Sequence, residues 1–210
     1  MINPQEFFGE IDIYLFDQIL KNRFTNEMSV IDAGCGGGRN LVYFLRGGFE
    51  VFGVDQNPAA IEQVRFIAKE LAPNLPPENF QVANVEEMPF REKRFDAVIS
   101  SAVLHFAANE QQFYRMLEEM WRVLKPNGIF FARLASSIGI EQKIERIENR
   151  RYWLPDGSER FLVDEEFLTS AINRLGGIWM EPIKTTNVQN LRCMTTLVLR
   201  KDSVLFDYSA

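Results

Sequence analysis

Short apolar runs alternate along the chain with segments whose apolar residues recur every three or four positions. "SVIDAG" (29–34) and "EVFGVD" (50–55) have the length and composition of buried strands. Between them, "LVYFLRGG" (41–48) predicts a helix that ends at two glycines. After Pro58, apolar residues at helical spacing predict a second helix. The first third of the chain therefore predicts the order strand, helix, strand, helix.

The same alternation continues through the middle of the chain. "ENFQVANV" (78–85) and "FDAVISSAVL" (95–104) predict a third and a fourth strand, and the second of these is apolar enough to be covered on both faces. Helical spacing predicts a helix over 110–124, "KPNG" (125–128) indicates a turn, and "IFFARLA" (129–135) predicts a fifth strand. Alternating strands and helices predict parallel strands joined by right-handed crossovers.

The pattern changes after Ser136. "SIGIEQKIERIENRRY" (137–152) predicts a charged helix, and "YWLPDGSERFLV" (152–163) predicts a hairpin with Pro-Asp-Gly at its tip. A helix over 164–177 follows, and then "IWMEPIKTT" and "TTLVLRK" predict two antiparallel strands because their connection is short. We therefore predict an α/β fold with a Rossmann-like, doubly wound, seven-stranded sheet, mostly parallel with one antiparallel strand near the edge. Residues 1–28 would form a helical cap, and 137–163 a lid inserted into a single domain.

Composition narrows the possible partners and compartments. The formal net charge of −6 argues against binding to a nucleic-acid backbone. No apolar run approaches the roughly 20 residues that span a bilayer, and the N-terminus does not resemble a signal peptide. Cys35 and Cys193 lie far apart, which favours a reducing, cytoplasmic compartment. A single histidine excludes a histidine-rich metal site, and we expect no metal.

The stretch "VIDAGCGGGRN" (30–40) is the strongest indication of a ligand site. It places four glycines within five positions after an apolar strand, where doubly wound sheets bind ligands. The glycine spacing disfavours a dinucleotide, because a G-x-G-x-x-G fingerprint counted from Gly34 would need glycine where Arg39 stands. Asp55 ends the second strand and is suited to ribose hydroxyls, a feature common to nicotinamide and adenosyl cofactors.

Five segments together resemble a known family. In order and spacing they are similar to the successive motifs of class I S-adenosylmethionine-dependent methyltransferases: "VIDAGCGGG", "GVDQNP", "ANVEEMPF", "FDAVISSAVLH" and "EEMWRVLKPNGIFF". The resemblance is close over about residues 28–135 and looser up to the two terminal strands. It implies a single methyltransferase domain over 1–210, with S-adenosyl-L-methionine as the cofactor and methyl transfer as the activity. "GCGGGRN" with "GVDQN" also resembles the small-molecule branch that includes tellurite-resistance and thiopurine-type enzymes.

The resemblance also implies a role for each matching residue. The glycine loop, residues 34–38, would hold the methionine end of the cofactor together with Asp32. Asp55 would bind the ribose hydroxyls, and Gln56 would lie against the adenine. Asn84 stands where many relatives have Asp, and its carbonyl oxygen can still accept from the adenine amino group. The backbone N–H of Val85 would reach an adenine ring nitrogen. The complete expected cofactor set is Asp32, Gly34, Cys35, Gly36, Gly38, Asp55, Gln56, Asn84, Val85 and Ser100.

The acceptor site is less strongly indicated. His105 follows the fourth strand and is a candidate base, with a loop histidine that shapes the pocket as the favoured alternative. The candidate acceptor pocket comprises Tyr14, His105, Tyr152 and Trp153, with Phe7, Phe8 and Phe16 nearby; ordinary core packing is the alternative for all of the aromatic residues. Arg150 and Arg151 are candidates for recognising an acidic acceptor, with a solvated helix face as the alternative. Asn40 is a candidate helix cap.

Several classes of acceptor are disfavoured. No Asn-Pro-Pro-Tyr or Asp-Pro-Pro-Tyr follows the fourth strand, and no Pro-Cys pair offers the nucleophile of cytosine methylases. We therefore expect a small-molecule methyl acceptor and neither a nucleic-acid nor a membrane partner. A protein or an RNA acceptor is the open alternative, and monomer and homodimer are both open. A nicotinamide-dependent oxidoreductase and a non-catalytic, cofactor-binding interaction module remain the alternative functions.

Overall fold

The structure is a computed structural model that describes residues 3–203. Helices and strands alternate through most of the chain, and a strand-rich segment interrupts them near residue 145. The helices are α1 Pro4–Phe8, α2 Ile13–Leu20, α3 Val42–Arg46, α4 Pro58–Leu71, α5 Glu110–Val123 and α6 Glu165–Leu175. The strands are β1 Ser29–Ala33, β2 Glu50–Asp55, β3 Phe80–Val82, β4 Phe95–Ser101, β5 Leu124–Ser136, β6 Glu145–Glu148, β7 Arg151–Trp153, β8 Glu159–Phe161, β9 Gly177–Trp179, β10 Lys184–Val188 and β11 Arg192–Lys201.

The main sheet has the order β10-β11-β5-β4-β1-β2-β3. Strands β1 to β5 are parallel, whereas β11 runs antiparallel to β5, β9 and β10. Because β9 and β10 pair with opposite ends of β11, the two strands together occupy a single edge position. The predicted sheet, seven strands wide with one reversed strand next to an edge, is confirmed.

Both faces of the sheet are buried, which explains the nearly continuous apolar strands. On one face, Ile31 and Val98 pack in a cluster with residues of α5 and α6. On the other, Val30 and Ala97 pack with residues of α2, α3 and α4. Alternate side chains of a strand point to opposite faces, so each strand needs apolar residues at consecutive positions.

Several helix ends follow the signals in the sequence. Asn57 accepts a hydrogen bond from the Ala59 N–H just before Pro58 opens α4, and Asp164 caps α6 in the same way. Asn40 does not cap α3, contrary to expectation. Its Oδ1 instead accepts from the backbone N–H of Asp12 at 3.0 Å, and this bond ties the N-terminal segment to the glycine loop.

The predicted helix over 137–152 is wrong. The segment contains β6 and most of β7, which form a three-stranded antiparallel sheet with β8. Asn149 and Arg150 both have positive φ, 45° and 64°, so the chain reverses between β6 and β7 where a helix would continue. The hairpin predicted over 152–163 is confirmed as β7 and β8.

Two other predicted boundaries are wrong. The "KPNG" segment does not separate α5 from the fifth strand, because β5 begins at Leu124. The segment forms a bulge in that strand, in which the pairing shifts between Phe95 and Ala97 and Asn127 has φ 62°. The run "IWMEPIKTT" is divided between β9 and β10, and Pro182, which has no N–H to donate to a ladder, lies between them.

Candidate functional site

A cavity of about 740 Å³ lies at the carboxyl ends of β1, β2 and β3. Strand β1 lies between β2 and β4, so the strand order reverses beside it, and this switch point is where doubly wound sheets bind ligands. Most of the residues predicted for the cofactor line this cavity, namely Gly34, Cys35, Gly36, Gly38, Asp55, Gln56, Asn84 and Val85. The parallel strands thus bring together residues that are about fifty positions apart in sequence.

The glycine loop needs glycine for two different reasons. Gly34 has φ +83°, and a Cβ on it would lie 2.5 Å from Cγ2 of Val103, so this position is required by close packing. Gly36 has φ +50°, and a Cβ on it would meet nothing within 4 Å. Because Gly36 also lines the cavity, its bare backbone leaves room for a ligand.

The Asp55 carboxylate is held in place by two backbone donors. Its Oδ2 accepts from the Gly36 N–H at 2.9 Å, and its Oδ1 accepts from the Asn57 N–H at 2.9 Å. These bonds connect the end of β2 to the glycine loop and to the start of α4. The result is a fixed acceptor on the cavity wall, as a group that binds vicinal hydroxyls requires.

Asp32 lies beneath the glycine loop and does not line the cavity. Neither of its carboxylate oxygens has a hydrogen-bond partner within residues 3–203. Burial raises the pKa of Asp32 from 3.8 to about 7, against the opposing effects of the Arg39 charge and of the nearby Asn40 side chain. A buried carboxylate with so little hydrogen bonding is destabilising, so this position favours a ligand that brings positive charge or N–H groups to the loop.

Burial also affects the thiol of Cys35, which follows the first glycine of the loop. Cys35 is buried, and burial followed by the charges of Asp32 and Asp55 raises the pKa of its thiol far above the usual range. A thiol with so high a pKa is a poor nucleophile, so its side chain contributes packing to the loop.

Strand β4 presents a different serine to the cavity from the one expected. Ser100 is buried, its Oγ has no partner within the described residues, and it does not line the cavity. Ser101 does line it, because successive side chains of a strand point to opposite faces. Its Oγ donates to Asp12 Oδ2 at 2.9 Å and accepts from Arg39 at 3.0 Å.

The N-terminal segment supplies residues that the sequence did not identify. Gly9 and Glu10 line the cavity, and Asp12 is buried beside it. Asp12 caps α2 through its Oδ1, which accepts from the Tyr14 N–H at 2.9 Å. An acid immediately before an apolar helical run was the available signal for this cap. The segment before α2 therefore closes one side of the cavity.

His105 lies in a short 3₁₀ turn over 104–106 and is buried. Its Nδ1 accepts from the backbone N–H of Ala135 at 3.1 Å, so the ring proton of the neutral side chain is on Nε2. Burial, followed by the charges of Arg160 and Arg133, lowers the pKa of His105 to about 4. The lone pair on Nδ1 already accepts the Ala135 hydrogen bond, so the neutral ring can only donate, through Nε2. This geometry does not agree with the predicted role of His105 as a base.

His105 lines a second cavity of about 310 Å³, which shares Ala102 and Phe106 with the larger one. The insertion over 137–163 forms part of its wall through Leu154, Asp156, Ser158 and Arg160. Ala102 has φ +65°, an uncommon conformation for a residue with a Cβ, and such strained positions cluster at functional sites. The two cavities thus meet at the end of β4.

The aromatic residues predicted for the acceptor pocket line neither cavity. The Tyr14 hydroxyl bonds to Thr186 Oγ1, and Arg133 lies over the Tyr14 ring at 5.2 Å. Tyr152 packs against a small apolar cluster, and Trp153 is 47% exposed. The predicted N-terminal aromatic residues pack among themselves and on Tyr43; these are Phe7, Phe8 and Phe16.

Arg150 and Arg151 are occupied by structural contacts. Arg150 bonds to Glu110 at 2.9 Å and to Asp164 at 2.7 Å, and Arg151 bonds to Glu159 at 2.6 Å. Neither arginine lines either cavity, so the structure does not place them where an acidic acceptor would bind. Within residues 3–203 there is no group of three or more potential metal ligands. No helix in this described range has the length and apolar character needed to cross a membrane.

The sequence matches the profile of a known family. The profile of a family described as "Methyltransferase domain" matches residues 31–132. An uncharacterized methyltransferase of Synechocystis is 35% identical over 101 residues, which cover 48% of this chain and 44% of the relative. The matched region thus spans about half the length of the curated relatives.

Comparison of the structure with solved structures gives proteins of the same fold, including two that are described as methyltransferases. A methyltransferase from Methanosarcina mazei, described as SAM-dependent, has a TM-score of 0.72 and 19% identity, covering 88% of this chain and 97% of the other. The 1,6-didemethyltoxoflavin-N1-methyltransferase of Burkholderia thailandensis, solved with 1,6-didemethyltoxoflavin and S-adenosylhomocysteine bound, has a TM-score of 0.69 and 21% identity, covering 93% and 80%. At these identities the likeness shows the fold.

Proposed function

We propose that the chain is a class I S-adenosylmethionine-dependent methyltransferase that transfers the cofactor's methyl group directly to a small-molecule acceptor. The family profile that matches residues 31–132 and the methyltransferase relatives support this proposal. The observation that supports this proposal best is the arrangement of Gly36 and Asp55 on the wall of the large cavity. A fixed carboxylate lies beside bare backbone that leaves room for a ligand, at the switch point of the sheet.

The described residues fit S-adenosyl-L-methionine at this place. The cavity volume of about 740 Å³ lies in the range of small-molecule sites. Asp55 would bind the ribose hydroxyls, and Gln56, Asn84 and Val85 would surround the adenine. Asp32 lies beneath the glycine loop, and its carboxylate oxygens would act electrostatically, across the loop, on the charged methionine end of the cofactor. When bound, the cofactor supplies a methyl group on a sulfonium, and the protein aligns the acceptor and excludes water.

A small-molecule acceptor is supported by the adjoining cavity and by the Burkholderia neighbour. The smaller cavity, of about 310 Å³, meets the large one at Ala102 and Phe106, so an acceptor there would lie beside the cofactor. The Burkholderia enzyme is described with a small acceptor and S-adenosylhomocysteine bound together. We further propose a cytoplasmic location, which the buried free thiols of Cys35 and Cys193 support.

A methyl-transfer screen tests the proposal. The full chain is incubated with S-adenosyl-L-methionine and a panel of thiols, amines, phenols, carboxylates and metalloid oxyanions, and S-adenosylhomocysteine formation is measured. We expect turnover with at least one class, and a large loss of it in Asp55→Ala. Binding of the cofactor product without transfer to any member would contradict an enzyme of this kind and favour a binding module.

A further inference from the structure

The smaller cavity, which we call the arginine cavity, is lined by His105, Arg133, Arg160 and Arg192. The arginines lie on three different strands, Arg133 on β5, Arg160 on β8 and Arg192 on β11. Among the described residues that line it, Asp156 is the only acidic one. The lining therefore carries an excess of positive charge, in a chain whose formal net charge is −6.

Arg160 is the arginine whose charge is least compensated. Within residues 3–203 it forms no ion pair, and its guanidinium donates to the backbone oxygen of the adjacent Glu159 at 2.7 Å. The guanidinium also lies over the Phe106 ring at 5.0 Å. Because Phe106 lines both cavities, Arg160 lies at the boundary with the large cavity. A guanidinium that lines a cavity and forms no ion pair with a carboxylate is available to bind an anion.

The other two arginines are only partly neutralised. Arg192 lies 3.8 Å from Asp156, whose Oδ1 already accepts from the Ser158 N–H and hydroxyl. Arg133 contacts Asp12 at 3.3 Å but shares that carboxylate with Ser101. The Nε of Arg133 is buried and has no hydrogen-bond partner within the described residues. An unpartnered buried donor favours a bound acceptor.

His105 adds a donor without adding a charge. Because its Nδ1 accepts from Ala135, the remaining ring nitrogen Nε2 carries the proton. Burial, followed by the charges of the same three arginines, lowers the pKa of His105 and keeps the ring neutral, since each guanidinium opposes a second positive charge. An anion in the arginine cavity would reverse this effect and favour the protonated ring.

We propose that the methyl acceptor carries a carboxylate or phosphate group, and that Arg133, Arg160 and Arg192 bind this group in the arginine cavity. This inference rests on the proposed function, and it specifies the class of acceptor. The anionic group lies between β5, β8 and β11, while the reacting part of the acceptor extends past Ala102 and Phe106 toward the large cavity. Arg160 is then a specificity-determining residue that selects acidic acceptors over neutral ones.

The one histidine of the chain provides a direct test. The full chain is titrated with succinate, with inorganic phosphate and with neutral succinamide, and the His105 ring resonances are followed by NMR. We expect a saturable shift with one or both anions and none with succinamide, because only an anion changes the charge around the ring. A larger response to succinate indicates a carboxylate acceptor, and a larger response to phosphate indicates a phosphate ester.

Matched variants assign the effect to the arginine cavity. Arg160→Gln should weaken the apparent anion affinity about tenfold or more, which corresponds to the loss of one charge-assisted hydrogen bond. Arg192→Gln should weaken it in the same direction, whereas Arg146→Gln, on an exposed position of β6, should leave it unchanged. Unmoved His105 resonances, or equal affinities in Arg160→Gln and the parent, would overturn the proposal. The titration needs no cofactor, so it can fail while S-adenosylhomocysteine still binds.

Discussion

Asp32→Asn is expected to gain stability relative to the parent protein as the pH rises, in the absence of ligand. Burial raises the pKa of Asp32 from 3.8 to about 7, so the folded state holds its proton more tightly than the unfolded state. The parent therefore loses stability from this group as the pH rises from about 4 through 7. Above pH 7 the cost is about 4 kcal/mol at 1.36 kcal/mol per pKa unit. Asparagine cannot ionise and avoids this loss.

Denaturant unfolding of the two proteins between pH 4 and pH 8 measures the difference. The expected result is a difference in unfolding free energy that grows in favour of Asp32→Asn across this range. Asp96→Asn is the matched control with the opposite sign. Burial alone would raise the pKa of Asp96, but the hydrogen bonds from Lys125 and Ser29 outweigh burial, and the net effect is a lowered pKa. The Asp96 carboxylate therefore stabilises the folded state above pH 4. A pH-independent difference for Asp32→Asn would show that the carboxylate is satisfied in the folded protein.

Asp55→Ala is expected to lower the affinity for S-adenosylhomocysteine about 10- to 100-fold, because hydrogen bonds to a charged group contribute about 1.5–3 kcal/mol. The substitution removes the proposed acceptor for the ribose hydroxyls. It also removes the bonds from the Gly36 and Asn57 N–H groups that hold the loop against β2. Isothermal titration calorimetry gives the affinities directly.

Glu62→Ala is the matched control, since Glu62 is an exposed carboxylate on α4 outside the cavity. Its affinity should equal that of the parent. Circular dichroism establishes whether each variant is folded before the titration. Equal affinities in a folded Asp55→Ala and in the parent would remove Asp55 from the ribose site.

The sheet and the large cavity were predictable because their signals are local. Each buried strand is a continuous apolar run, and the order of strands and helices leaves few topologies. The glycine loop was recognisable because positive φ at Gly34, Gly36 and Gly38 demands glycine in that place. Asp55 followed from its position at the end of a strand beside the loop.

The insertion and the arginine cavity were not predictable from local signals. Ile140, Ile144 and Ile147 recur at helical spacing, but Ile147 is 40% exposed and the segment forms strands. Arg150 and Arg151 stood out in a charged run, yet they are tied to nearby carboxylates. The arginines that line the cavity are brought together only by the pairing of β5 with β11 and by the β7–β8 hairpin. Arg133 in an apolar strand was the one available indication.

The role of His105 also depended on tertiary contacts. Its position after β4 suggested a base, but the backbone N–H of Ala135 on β5 occupies the ring nitrogen that would accept a proton. This contact depends on the arrangement of the 104–106 turn against β5, which no spacing in the sequence indicates. Sequence patterns therefore indicated the position of the candidate site better than the contacts of the side chains around it.

Calorimetric titration of the full chain with S-adenosylhomocysteine and with NADH tests the central claim most directly. The glycine spacing and the Asp55 carboxylate on the cavity wall predict micromolar binding of S-adenosylhomocysteine and no binding of NADH. Binding of NADH without binding of S-adenosylhomocysteine would contradict the assignment of the large cavity to an adenosyl cofactor.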